Sequence, residues 1–210
     1  MISKRLRTIA ELIPNNAKVI DVGCDHALLD IYLVKNKNCY CFACDINKNA
    51  LNQAKKNISS NNLTDKIEIK LTDGLTDIKI NKDDYIVIAG MGTSTIKHIL
   101  GQHNLSDNLI IASNNEIDKL RRYVVCLNYK IIDEKFILDK GKYYVIIYFK
   151  KGSSNYNDID LDIGPILKNN HEYINYRINC LKQIKDKIPF YKIYLRFSIN
   201  KKIKKLKKIS

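Results

Sequence analysis

Short apolar runs alternate with amphipathic segments over most of the chain, a pattern typical of α/β proteins. "SKRLRTIAELI" predicts an opening helix with Ser3 as its N-cap, since apolar residues recur there at helical spacing and Pro14 follows. Helices are also predicted between the strands, one of them capped by Asn47. Five strands are predicted, at residues 18–23, 39–45, 66–71, 84–90 and 108–113.

The pattern changes after the fifth strand. "YKIIDEKFIL" and "KYYVIIYFK" both read as strands, and Asp139, Lys140 and Gly141 between them are the signal of a β-hairpin. Five βα repeats closed by a hairpin predict a doubly wound, mostly parallel sheet with an antiparallel edge. This Rossmann-like succession is the arrangement of class I S-adenosylmethionine-dependent methyltransferases.

A polar stretch at residues 150–165, interpreted as a linker, precedes a different module. Pro189 interrupts the helical pattern of this module, which leaves open a kinked long helix or a helical hairpin. We expect a first domain at residues 1–152, and a linker with a basic, α-helical, coiled-coil-like domain at residues 153–210. The apolar positions of the helical pattern are Ile174, Ile178, Leu181, Ile184, Ile188, Ile199, Ile203 and Leu206.

The net charge of +14 is concentrated in this second module. Residues 151–210 contain 14 basic and 5 acidic side chains, and "KIYLRFSINKKIKKLKKIS" contains no acid. A Lys-, Asn- and Ile-rich composition from an A/T-biased genome is one explanation. The concentration in one segment favours a polyanionic partner instead.

Composition and hydropathy bear on class and compartment. Hydrophobic residues make up 45% of the chain and charged residues 28%, as in folded soluble proteins. No apolar run reaches the ~18 residues of a membrane span, and the N-terminus lacks the apolar core of a signal peptide. We therefore expect a cytoplasmic protein with no membrane contact.

Three of the six cysteines lie in "CYCFACD", which contains a formal C-x-x-C. The segment reads as a strand, where an odd separation sends Cys41 and Cys44 to opposite faces, and no second pair completes a zinc site. We expect buried, reduced thiols and no metal.

Polar residues and glycines follow the first four strands, where open α/β sheets bind ligands. An acid after the second strand suits the ribose hydroxyls of both NAD and S-adenosylmethionine. The first loop lacks the second and third glycines of a pyrophosphate nest, and Asp25 would repel a phosphate there. S-adenosylmethionine, whose sulfonium and amino groups are positive, is therefore the expected cofactor. The expected cofactor-binding residues are Asp21, Gly23, Cys24, Asp45, Ile46, Asp73, Gly74, Ala89, Gly90 and Met91.

The motifs resemble those of the bacterial tRNA methyltransferases that modify N1 of the adenine at position 22. The resemblance rests on "SKRLRTIAELIP", "VIDVGCDHALLDIYL", "CDIN", "TDGL", "IVIAGMG", "NLIIASN", "LRRYV", "DEKFILDKGKYY" and "IGP", and covers nearly the whole chain. It implies a class I methyltransferase domain followed by a helical coiled-coil domain that helps to hold tRNA.

The chain departs from the family pattern at several positions. Ala112 and Ser113 stand where similar proteins have a Gln-Pro-like pair before Asn114, and Thr93 replaces a glycine after "AGMG". Leu28 and Asp30 stand where similar proteins tend to carry Tyr and Pro, and the tail is shorter. These changes concern the substrate pocket more than the cofactor site.

Adenine N1 carries a neutral lone pair, so its methylation requires positioning rather than a strong base. Asp25 and His26 are the candidates for lining the catalytic pocket, and Asn114 is the candidate for orienting the adenine edge. For Asp25 a helix cap, and for His26 a neutral helix-start residue, are the alternatives. The expected RNA-binding residues are Lys4, Arg5, Arg7, Arg121, Arg122, Lys201, Lys202, Lys204 and Lys205.

Alternative functions remain open from the sequence. The departures at Thr93, Ala112 and Ser113 also fit a non-catalytic RNA-binding or assembly protein with a decayed methyltransferase fold, or a methyltransferase of another RNA site. An NAD-dependent oxidoreductase is disfavoured by the missing glycines. A monomer is expected, with dimerisation through the helical tail as the alternative.

Overall fold

A computed structural model of the chain describes residues 2–101 and 105–209. They divide into two compact units, Met1–Asn155 and Tyr156–Ser210. The first unit contains a seven-stranded sheet in the order β3-β2-β1-β4-β5-β7-β6. Its strands are β1 (Lys18–Val22), β2 (Tyr40–Asp45), β3 (Ile67–Leu71), β4 (Tyr85–Met91), β5 (Asn108–Ser113), β6 (Tyr129–Asp139) and β7 (Lys142–Lys151).

The sheet has the predicted direction pattern. Strands β1 to β5 pair in parallel, while β7 pairs antiparallel with both β5 and β6. Lys140 and Gly141 form the β6–β7 turn with φ of 49° and 76°, which suits a two-residue hairpin. The predicted Rossmann-like sheet with an antiparallel terminal hairpin is confirmed.

Five helices belong to this unit. Ser3 caps the first through a bond from the Leu6 N–H, and Asn47 caps the third, as predicted. No helix lies between β3 and β4, so the expectation of five complete βα repeats is wrong there; Asp73, Gly74 and Asp77 favour turns in that stretch. The helices are α1 (Lys4–Glu11), α2 (Leu28–Lys37), α3 (Lys48–Ser60), α4 (Thr93–Gly101) and α5 (Ile117–Cys126).

The core of this unit forms where buried apolar residues of the sheet meet those of the helices. Val19, Val87 and Ile110 of the central strands are each 0% exposed and pack in one cluster with Ile9 of α1 and Leu33 of α2. Because all three strands are covered in this way, they read as continuous apolar runs, as parallel strands do.

The second unit is helical: α6 (Asp158–Ile163), a short 3-10 turn, α7 (His171–Lys187) and α8 (Ile193–Lys207). Two helices flank Pro189, and Lys205 near the end of α8 lies 3.8 Å from Asp162 of α6, so α8 folds back. The helical-hairpin alternative is therefore the correct one. The expected linker is partly wrong, because Asn157 and Asp160 form a capping box that starts α6.

Candidate active site

The carboxyl ends of the parallel strands meet along one edge of the sheet, where the predicted site residues lie. Backbone bonds join successive strand ends: the Cys24 N–H donates to the Cys44 carbonyl at 3.1 Å and the Thr72 N–H to the Asp45 carbonyl at 3.1 Å. The Asn114 N–H donates to the carbonyl of Met91 at 2.9 Å. These bonds fix the loops after β1, β2 and β3 relative to one another. They also fix the loop after β5 relative to the end of β4.

The first loop begins at Gly23, whose φ of 78° is in the left-handed region. The N–H groups of Gly23 and Cys24 both donate to the Cys44 carbonyl, at 2.8 and 3.1 Å. A side chain at position 23 would place its Cβ 2.4 Å from the Met91 Cε, so the end of the Met91 side chain would have to move, and the positive φ is the stronger requirement for glycine. Since these two N–H groups are already bonded, they do not form a phosphate nest.

The loop continues through two more left-handed residues, Asp25 (φ 51°) and Ala27 (φ 56°). The Asp25 N–H donates to Asp45 Oδ2 at 3.2 Å, and Asn57 of α3 donates to the carbonyl of His26 at 2.9 Å. Ala27 is the N-cap of α2, which has no side-chain cap. The alternatives of a capping Asp25 and a helix-start His26 are therefore wrong, and both side chains are exposed.

Asp45 ends β2 with both carboxylate oxygens accepting backbone N–H groups. Oδ1 accepts from Asn47 at 2.8 Å and Oδ2 from Asp25 at 3.2 Å. A carboxylate has about four lone-pair sites, so half of its accepting capacity remains for ligand hydroxyls. The adjacent Ile46 is 70% exposed, an apolar group at the mouth of the site. Asp73, after β3, is also exposed.

A small pocket opens beside the first loop. It is lined by Arg5 of α1, by residues from Asp21 to Leu29 around the loop and by Ala89 of β4. Burial raises the pKa of Asp21 well above the usual carboxyl range, and the neighbouring Asp30 and Asp45 raise it further, while Arg5 opposes this. The Arg5 guanidinium lies 5.1 Å from the ring centre of Tyr144. Arg5, predicted from the sequence only as an RNA contact, is thus a pocket residue.

The loop after β5 is held against β4. Asn114 Nδ2 donates to the Gly90 carbonyl at 2.6 Å, while Asn115 Oδ1 accepts from the Thr93 N–H at 2.9 Å. Thr93 is 1% exposed, and its hydroxyl lies 2.7 Å from the Asn115 carbonyl oxygen. The departures from the family pattern near this loop therefore occupy bonded positions.

One predicted RNA-binding residue does not reach the surface. Arg121 is 0% exposed, and its Nε donates to Glu134 Oε1 at 2.7 Å inside the unit. A phosphate contact by Arg121 is excluded in this conformation, so that prediction is wrong. That prediction came from a pair of basic residues on an amphipathic helix. Arg121 lies on the buried face of that helix.

The tail lysines are mostly on the surface. Lys201, Lys202 and Lys204 are exposed, whereas Lys205 is half-buried and pairs with Asp162. Sequence reasoning missed the exposed aromatic residues nearby, although their polar and basic neighbours were visible in the sequence. Their exposed fractions are 84% for Phe190, 67% for Tyr191, 83% for Tyr194 and 67% for Phe197.

Neither a metal centre nor a membrane segment is found in the described part of the chain. No group of three or more His, Cys, Asp or Glu residues among residues 2–101 and 105–209 is placed to hold a metal ion. Cys39, Cys41 and Cys44 are buried free thiols, and burial raises the pKa of each. None of the helices in those ranges has the length and apolar character needed to cross a membrane.

Comparisons with known proteins agree with this architecture. A family model described as a methyltransferase domain matches residues 2–147. The tRNA (adenine(22)-N(1))-methyltransferase of Bacillus subtilis is 35% identical over 173 residues, covering 79% of this chain and 73% of that protein.

Two solved structures extend the similarity through the helical unit. Mycoplasma capricolum TrmK in complex with S-adenosylhomocysteine gives a TM-score of 0.86 at 36% identity, covering 99% of this chain and 97% of that one. Streptococcus pneumoniae Sp1610 in complex with S-adenosyl-L-methionine gives 0.89 at 28% identity, covering 100% and 99%. With the family model and the curated relative, they show that the chain belongs to the tRNA (adenine(22)-N1)-methyltransferase family.

Proposed function

We propose that this protein transfers the methyl group of S-adenosylmethionine to N1 of adenine 22 in tRNA. The observation that carries the proposal is the first loop: the N–H groups of Gly23 and Cys24 are bonded within the protein, and the pocket beside the loop combines the carboxyl groups of Asp21 and Asp25 with the guanidinium of Arg5. Such a site suits a cationic ligand with ribose hydroxyls, and the membership in the family supplies the substrate.

The residues present fit this cofactor. Glycine at position 23 keeps the first loop free of a side chain where it lines the pocket, so that its backbone is open to the methionine portion. The buried carboxyl of Asp21 faces the same pocket and offers partial negative charge to the amino and sulfonium groups. When bound, the cofactor supplies a methyl group on a positively charged sulfur.

Three further residues would hold the adenosine portion. Asp45 accepts from the ribose hydroxyls with the lone pairs that Asp25 and Asn47 leave unused. Ile46 packs against the adenine ring, which explains an isoleucine that is 70% exposed. Asp73 accepts from the adenine amino group.

On the substrate side, the chain positions the target base and stabilises developing charge. The bond from Asn114 Nδ2 to the Gly90 carbonyl fixes which end of the amide is the acceptor, and Oδ1 accepts from the N6 amino group of the target adenine. Methylation makes the ring positive, so the carboxylate of Asp25 stabilises it. Acceptance of the amino proton by this carboxylate is the alternative, and His26, whose Nδ1 lies 3.6 Å from Asp25 Oδ1, lines the same pocket.

The target base must leave the stacked tRNA, because N1 lies on the Watson–Crick edge. The protein therefore holds the tRNA elsewhere through its phosphates. In the first unit Lys4 and Arg7 are exposed, and Arg122 is half-buried. In the second unit the exposed lysines of α8 supply the same kind of contact.

The exposed aromatic residues of the second unit add a sequence-tolerant contact. The segment from residue 187 to 210 has nine basic and no acidic side chains, with four exposed aromatics among them. On one face of α8, Phe197 and Lys201 help to line a cavity of about 560 Å³ together with further lysines. Aromatic rings amid basic groups bind unpaired nucleotides by stacking and charge, so unpaired bases of the tRNA are the expected occupants.

Methyl transfer from labelled S-adenosylmethionine to unmodified tRNA tests the proposal, followed by reverse-transcription mapping of the product. A stop at adenine 22 is expected. A stop at another adenine would show that the enzyme methylates a different nucleotide of the tRNA. Cofactor binding without any transfer would favour the non-catalytic RNA-binding alternative.

A further inference from the structure

Asp30 is the polar residue whose setting the function above leaves unexplained. It lies in the first turn of α2 and is 0% exposed. Among the described residues, no N–H or O–H group of another residue donates to either of its carboxylate oxygens. Its own backbone N–H and the Cys41 thiol lower its pKa, but burial raises it by more. An ionised carboxylate with so few donors is disfavoured inside a protein, so a proton or a cation at this side chain is favoured.

The nearest acid supplies the missing partner. The carboxyl group of Asp30 lies close enough to that of Asp21 for a hydrogen bond once one of the two is protonated, and Asp21 is 6% exposed and lines the cofactor pocket. Two carboxyl groups form such a bond only when a proton lies between them, and the pair then has one negative charge instead of two. Asp30 is therefore connected to the pocket through Asp21.

The surrounding groups favour retention of that proton. Arg5 of α1 is the cation near Asp21, while Asp45 of β2 adds negative charge. The other titratable neighbours are the thiols of Cys24, Cys41 and Cys44, and burial raises the pKa of each, which keeps them neutral. Burial also raises the pKa of Asp30 to about 7.

We propose that Asp21 and Asp30 share one proton in the ligand-free protein, and that binding of S-adenosylmethionine releases it, which makes Asp30 a positioning residue for Asp21. The proposal rests on the cofactor of the proposed function. The positive sulfonium beside Asp21 favours the ionised form of both carboxyl groups, so the shared proton leaves to solvent. The pair then has two negative charges that face the positive charge of the ligand. S-adenosylhomocysteine lacks the sulfonium charge and releases less.

Isothermal titration calorimetry of the full chain at about pH 6.5, in buffers of different ionisation enthalpy, measures this proton directly. We expect release approaching one proton per S-adenosylmethionine, distinctly less for S-adenosylhomocysteine, and tighter S-adenosylmethionine binding as the pH rises towards 8. Asp30→Asn preserves size and a hydrogen bond to Asp21 but removes the second acid. It should reduce the release to near zero and flatten the pH dependence.

Two further variants keep the test decisive. Asp30→Pro introduces a residue that the first turn of a helix tolerates, and it replaces Asp30→Asn if that variant does not fold. His26→Gln removes an imidazole that lines the same pocket, and it should leave the proton release intact if the proton comes from the Asp21–Asp30 pair.

Buffer-independent heats in the unaltered protein would overturn the proposal, as would equal release with the two ligands or loss of release in His26→Gln. Release that persists in both Asp30 variants would also overturn it, since the proton then comes from another group. Absence of any S-adenosylmethionine binding would instead contradict the proposed function, so the two failures are distinguishable.

Discussion

The hydroxyl oxygens of Thr93 and Ser113 lie 2.8 Å apart in a buried hydrogen bond between the start of α4 and the end of β5. Both are positions where the chain departs from the family pattern, and the two departures meet in space. Each hydroxyl also lies within hydrogen-bond distance of the Asn115 carbonyl oxygen, at 2.7 Å from Thr93 and 2.9 Å from Ser113, so the two form one satisfied network. This pairing is better explained by a maintained loop than by the decay of an active site.

The pair predicts non-additive stability. Thr93→Val removes the bonds to both Ser113 and the Asn115 carbonyl, and should lower the free energy of unfolding by ~1–3 kcal/mol. Ser113→Ala removes the bond to Thr93 and the bond of Ser113 to the same Asn115 carbonyl, and should cost a similar amount. Urea unfolding of both single variants and the double variant gives the coupling energy. Strictly additive effects would show that the hydroxyls do not depend on each other.

Asp45→Ala should weaken S-adenosylmethionine binding by at least tenfold, because the ribose acceptor and the bonds to the N–H groups of Asp25 and Asn47 are lost together. Titration calorimetry measures the cofactor affinity, and tRNA affinity should change little. Asp65→Ala, at an exposed acid that precedes β3 and is away from the carboxyl ends of the strands, is the matched control. Equal loss of cofactor and tRNA binding would contradict the ribose assignment.

Arg121→Met should destabilise the first unit by ~3–5 kcal/mol, because Glu134, itself 3% exposed, would keep a buried charge without its guanidinium partner. The free energy of unfolding by urea is the measurement. A paired Arg121→Met/Glu134→Leu variant should recover much of the loss. An Arg121→Met variant with an unchanged free energy of unfolding but weaker tRNA binding would support the RNA-binding role that was predicted from the sequence.

The contributions of charge and of aromatic stacking in the second unit to tRNA binding can be separated by measuring the salt dependence of Kd. Replacing Lys201, Lys202 and Lys204 with Gln should weaken tRNA binding and reduce the dependence of log Kd on log salt by about 2–3. Phe190→Ala with Tyr194→Ala should weaken binding by roughly 10-fold or more at an unchanged salt slope, because stacking releases no counterions. Truncation after Gly152 should combine both effects while sparing cofactor affinity. Salt slopes unchanged in the lysine variant would assign these residues to packing.

The buried pair of Asp21 and Asp30 predicts that stability falls as the pH rises. Their folded-state pKa values are raised, so the folded state holds more protons than the unfolded chain between about pH 4 and 7. The stabilising proton is present at low pH and is lost as the pH passes the folded pKa. In thermal unfolding, the Tm of Asp30→Asn should rise relative to that of the unaltered protein as the pH increases from 5 to 8. A constant difference across that range would contradict this.

Periodicity and strand-end chemistry were enough to predict much of the fold from sequence. Ser3 and Asn47 cap helices as their side chains predict, and the apolar runs became the buried strands. These features depend on neighbours along the chain, which the sequence displays directly. The parallel sheet with its antiparallel edge followed from the same succession of elements.

The misses depend on tertiary contacts. Arg121 looks like any surface arginine until the facing strand brings Glu134 to it. Asp30 was visible as an unusual residue, but its contact with Asp21 requires the packing of α2 against β1. Ala27 is the N-cap of α2 because the chain passes through left-handed conformations at Asp25 and Ala27 before the helix begins. No capping residue in the sequence predicts this path.

That twice-turned loop is held from two sides by the protein's own groups, by Asp45 at the Asp25 N–H and by Asn57 at the His26 carbonyl. The cofactor therefore meets a surface that is already shaped, and little of its binding free energy is spent on ordering the backbone. Association should then proceed in a single kinetic phase whose rate constant rises linearly with cofactor concentration. Discrimination among ligands would reside in how quickly each one leaves.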